Sequence, residues 1–168
     1  MIFMSQSGLT DLARESAWDE WYIDHLRIMA SVPGVASAQR FKTSTSDHPR
    51  SLALYSIASA DVFNDPYYQS VRGMGEWLQL IDRRYYRRNL FAGLDRAPAV
   101  GEREVLLVAD RPEPDPGLTG PWAWLECVGI DRSTPYRGIA VVDRAEAQRM
   151  TAGGIAVYSP ATTIVRQK

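Results

Sequence analysis

Residues 12–31 are the only stretch of this sequence that reads as a long helix, so the rest of the chain must supply the surface it packs on. Thr10 or Asp11 can cap its start with a side-chain oxygen. Pro33-Gly34 stops it, because proline disfavours helix in the residue before it and glycine accepts the turn. At about 100° per residue, Trp18, Tyr22, His25, Met29 and Val32 fall within about 40° of one line down the helix. Asp19, Glu20, Asp24 and Arg27 point elsewhere. A helix buries its apolar stripe, so His25 is expected beneath whatever the helix packs against.

Strands are expected over residues 1–7, 35–43 and 51–58, the last with Leu52 and Leu54 opposite Ala53, Tyr55 and Ile57. Pro66 suits the first position of a short helix that Gly73 and Gly75 interrupt, and residues 76–84 read as helical or irregular. Residues 85–91 read as a further strand. The order is that of a ferredoxin-like split unit. Residues 93–103 form an expected linker. Beyond it come strands at 104–109, 122–130, 137–143 and 155–165, with one or two helical turns at 145–150 that end at Gly153-Gly154. Residues 111–121 hold four prolines and two glycines, too many for a regular element.

The expected fold class is therefore α+β: a ferredoxin-like antiparallel sheet with helices on one face, two such units making an α/β-barrel in tandem or as a dimer. The expected domains are a ferredoxin-like unit at 1–92, a linker at 93–103 and a second, degenerate ferredoxin-like unit at 104–168. A homodimer is expected, because the second half is short of helices to cover its sheet.

The runs EWYIDHL (20–26), VPGV (32–35), QRF (39–41), LALY (52–55) and DPYY (65–68) resemble the dimeric α/β-barrel superfamily. That superfamily includes EthD-like and muconolactone isomerase-like proteins, antibiotic-biosynthesis-type monooxygenases and polyketide cyclases. The resemblance covers residues 1–92 and implies a cleft between sheet and helix, with a histidine facing it at the position of His25.

Composition removes several classes. With 45% hydrophobic and 23% charged residues the chain reads as globular, and a net charge of −1 gives no general attraction to nucleic acid or an acidic membrane. A single cysteine, Cys127, excludes an intrachain disulfide. No run approaches the roughly 20 apolar residues of a membrane span. The first residues lack the pattern of a signal peptide, so a cytoplasmic location is expected. Only His25 and His48 are available as imidazole ligands, so no metal or other cofactor is expected. The run RRYYRR at 83–88 mixes cations with aromatics, and reads as a solvated or subunit-facing strand edge.

His25 is the expected acid–base group, since imidazole titrates near neutrality. Trp21 and Tyr22 beside it suit a planar ligand, while Arg40 and Tyr55 would orient an oxygen that gains charge. The expected function is cofactor-independent proton-transfer chemistry, of isomerase, cyclase or lyase type, on a planar acidic or phenolic metabolite. The alternatives are a non-catalytic ligand-binding or stress-response barrel, and a cofactor-free monooxygenase.

Overall fold

The computed structural model describes residues 1–150 and 153–167. Its strands are β1 (Ile2–Ser7), β2 (Val35–Lys42), β3 (Ser51–Ile57), β4 (Arg87–Ala92), β5 (Glu104–Arg111), β6 (Ala123–Ile130), β7 (Tyr136–Asp143), β8 (Ile155–Pro160) and the two-residue β9 (Val165–Arg166). They pair in the order β3-β1-β4-β6-β7-β5-β8-β2, and β2 pairs again with β3. Every pairing is antiparallel, so eight strands close into a barrel. The expected last strand is broken: β8 meets β2 at Phe41 and Lys42, and β9 resumes beside Ser37 and Ala38.

Period-2 alternation explains the closure. One face of the strands carries Ile2, Met4, Phe41, Leu52, Leu54 and Phe91 from the first half. It meets Leu106, Val108, Leu125, Ile139, Ala156 and Tyr158 from the second in a single buried cluster. Neither half can hide that face alone, and curling the sheet on itself buries both. Arg137 is fully buried in the same interior, held by Asp110 through Nε (2.7 Å) and Nη2 (2.8 Å) and by Gln6 Oε1 (2.8 Å). The barrel interior is a packed core.

This corrects the expected fold class. The molecule is a closed eight-stranded antiparallel β-barrel, mostly sheet, and not a ferredoxin-like α+β fold with helices layered on a sheet. The β4–β6 and β2–β8 pairings join the halves into one continuous sheet, so the ferredoxin-like, EthD-like and dimeric α/β-barrel descriptions do not fit it. Residues 76–84, read as helical or irregular, hold most of a 3-10 turn, Gly75–Leu80, and an isolated bridge from Ile81 to Leu9. The strand expected at 85–91 is central in the sheet, between β1 and β6, and not an edge.

Residues 93–103 contain no helix or strand. They close one end of the barrel: Gln39 Nε2 donates to Val100 O at 2.8 Å, Val100 N donates back to Gln39 Oε1 at 3.1 Å, and Ala97 N donates to Ser56 Oγ at 2.9 Å.

Helix α1 (Glu15–Ala30) lies outside the barrel against β2 and follows a 3-10 turn, Leu12–Arg14, whose Asp11 cap accepts from Ala13 N at 3.0 Å. Its Trp18, Tyr22, Leu26 and Met29 bury against Phe3, Ala53, Tyr55 and Leu90 on the outer sheet face. Burying such a side chain stabilises by about 1.5–3 kcal/mol. After α1 the chain turns at Gly34, where φ is +84° and an added Cβ would sit 2.7 Å from Val62 Cγ2. Both reasons require glycine there. Helix α2 (Pro66–Val71) and α3 (Arg144–Met150) are short, and α3 covers β5 and β7 through Ala147. The expected end of that helix falls partly on residues 151 and 152, which lie outside the described residues. No described helix is long and apolar enough to cross a membrane.

Candidate functional site

The outer face of β1, β3 and β4 and the buried stripe of α1 border the candidate site. Strand alternation sends Phe3 and Ser5 of β1, Tyr55 of β3 and Arg88 of β4 toward the helix, and the register places Ser5 beside Arg88. The helical period brings Tyr22, His25 and Met29 down onto them. Tyr68 of α2, Tyr86 and Met74 complete the wall, and exposed Gly73 marks its outer rim. The cavity, partly open at that rim, is about 30 Å³, room for one water molecule.

His25 is only 9% exposed, and its imidazole stacks on Trp21 at 4.7 Å between centroids with 12° between planes. The Tyr22 ring meets it edge-on at 5.6 Å. Among the described residues the His25 ring makes no hydrogen bond, and burial is the one influence on its titration. Burial pulls its pKa down to about 4, because the charged form loses hydration. The ring is therefore neutral at physiological pH, the form a base needs.

Burial also raises the pKa of Tyr22, Tyr68 and Tyr86, and pushes Tyr55 well above the ordinary value. All four stay phenols and can donate. Tyr22 Oη lies near the Ser7 and Tyr55 hydroxyls, at geometry that leaves it without a formed hydrogen bond.

Of the five residues expected at the site, Tyr22, His25 and Tyr55 meet at the cavity wall. Trp21 backs the imidazole from outside. Arg40 is elsewhere: it is 1% exposed, sandwiched over the Trp18 and Tyr22 rings at 4.6 and 4.2 Å, and bonded to Asp19 (2.8 Å) and Ser51 (2.9 Å). Its guanidinium pins α1 to the sheet, and Asp19 also takes Lys42 Nζ at 2.7 Å. The cation at the cavity is Arg88, which the sequence placed on an exposed edge; the alternation Tyr86, Arg88, Leu90 was the available signal.

Larger hollows lie at the surface. One of about 530 Å³ sits between residues 99–102 and 160–164, and carries no aromatic side chain and no buried titratable group. Size alone does not make it the better candidate. Among the described residues, no three His, Cys, Asp or Glu side chains are grouped to hold a metal ion. In comparison with known proteins, no family model matches the chain and no curated protein matches its sequence.

Proposed function

We propose that the protein is a cofactor-independent enzyme that moves a proton on a planar acidic or phenolic compound held between α1 and the barrel. The observation that carries this is a neutral imidazole without a hydrogen-bond partner among the described residues, at the wall of a cavity lined by four tyrosines. His25 is the base, and Tyr55 donates to the oxygen that gains charge. A base with a pKa near 4 works on a substrate that is itself acidic, or after a bound negative charge has raised its basicity. A planar ligand needs more than 30 Å³, so Met74 and the turn around Gly73 must move outward to admit it. A cytosolic setting belongs to the proposal on sequence grounds; the reason for expecting a homodimer, a sheet left short of cover, falls away because the barrel closes within one chain.

The small cavity favours a second reading, a barrel whose cleft is filled by its own side chains and does no chemistry. Solvent-deuterium exchange separates the two. Wild-type protein in D₂O is expected to accelerate exchange at the acidic carbon of at least one compound in a panel of planar phenols and 1,3-dicarbonyls. No acceleration for any compound that binds the cleft would overturn the proton-transfer reading and leave the non-catalytic barrel and the cofactor-free monooxygenase.

A further inference from the structure

The geometry points to Arg88 as the residue that selects a negatively charged ligand in this cleft, a planar carboxylate or enolate rather than its neutral counterpart. The inference rests on reading the cleft as a ligand site. No aspartate or glutamate lines the cavity, and Arg88 is the one cation among its lining residues. With His25 neutral, the wall carries a single positive charge amid phenols that donate hydrogen bonds. The Arg88 Nε–H is buried and has no acceptor among the described residues. An unsatisfied donor on a charged group is costly to bury, so an acceptor arriving there gains what the free protein lacks.

The rest of the guanidinium is held on its solvent side. Arg88 Nη2 reaches Asp131 Oδ1 at 3.4 Å, a long contact between side chains that are 38% and 31% exposed. A stretched pair of this kind holds the guanidinium weakly, while the Asp131 charge still opposes an anion arriving at the cleft. The backbone N–H of Arg88 donates to Asp131 Oδ2 at 2.8 Å, so Asp131 fixes the strand position while leaving Nε for the cavity. The Tyr86 ring lies 5.5 Å from the guanidinium carbon and keeps it against the wall. A carboxylate or enolate oxygen entering between Arg88, Tyr55 and His25 meets a charged donor, a phenol and a neutral acceptor.

Calorimetric titration with 4-hydroxybenzoate and its neutral isostere 4-hydroxybenzamide tests this. Wild type is expected to bind the acid at least about tenfold more tightly than the amide, the size of one hydrogen bond to a charged group. Arg88→Met should erase that preference and leave amide binding unchanged. Asp131→Asn, which removes the competing anion and keeps a carbonyl for the Arg88 N–H, should strengthen acid binding several-fold without altering the amide; it tests the assignment even if Arg88→Met fails to fold. Equal binding of acid and amide by wild type, or a preference that survives Arg88→Met, overturns the role of Arg88 and leaves the cleft as a ligand site. Binding of neither compound overturns both.

Discussion

His25 couples the site to stability through a proton it does not take up. The unfolded chain binds that proton at the ordinary value of 6.5, whereas the folded chain resists it until about pH 4. Between those values the unfolded state holds more protons, so stability is full above pH 6.5 and falls as pH drops toward 4. The loss is on the order of 3 kcal/mol. Urea midpoints measured from pH 7 to pH 4 should show this slope in wild type and lose it in His25→Gln. Glu15 and Asp82, held below their ordinary values of 4.5 and 3.8, begin to lose their contribution only as pH falls through those values, and do so in both proteins. Period alone made His25, Tyr22 and Tyr55 legible in the sequence, since each lies on a face fixed by its own element. Arg40, expected to orient a ligand oxygen, instead holds α1 to the sheet, and its partner was not legible. Asp19 sits off the apolar stripe, yet its carboxylate reaches across the helix edge to the guanidinium. Arg88 was missed because its neighbours depend on which strands flank β4.

Among the elements, the 93–103 segment shows most clearly what a pattern of turn residues leaves unsaid. Its lack of regular structure was legible in Gly93, Pro98 and Gly101; its seat in the mouth of the barrel was not. That seat depends on Gln39, whose amide satisfies both backbone groups of buried Val100 and donates to Thr162 O at 3.0 Å. Gln39→Ala strands those groups away from water, and is expected to cost on the order of 2–3 kcal/mol. Thermal denaturation should show the loss, and limited proteolysis should cut within 93–103 faster than in wild type. A variant that melts and resists protease like wild type would mean that the segment is held by packing alone. Helix α1 was legible nearly to its ends, because Pro33-Gly34 and a long apolar stripe are local signals. Strand β4 was found within two residues, but its central place in the sheet is a long-range property.

At the scale of the whole molecule, the strands were legible and their closure was not. Alternation shows that a strand has an apolar face; it does not say whether a helix layer or the opposite wall of the same sheet covers it. Here the second half supplies that wall, from Leu106 to Tyr158. Because closure needs only one chain, the melting midpoint is expected to stay constant over a 100-fold range of protein concentration, about the span in which an obligate dimer would shift. A midpoint that rises by several degrees with concentration would show that the fold depends on a second copy. The barrel interior is packed, the proposed site is the outer cleft under α1, and His25 is the residue on which that proposal turns. The most direct test compares His25→Gln with wild type at pH 7, on whichever panel compound exchanges fastest. Glutamine can still hydrogen-bond but cannot titrate near neutrality. The variant is expected to melt near wild type and bind the compound, while exchange falls about 10²–10⁴-fold. Undiminished exchange by a folded His25→Gln variant would contradict the acid–base role outright.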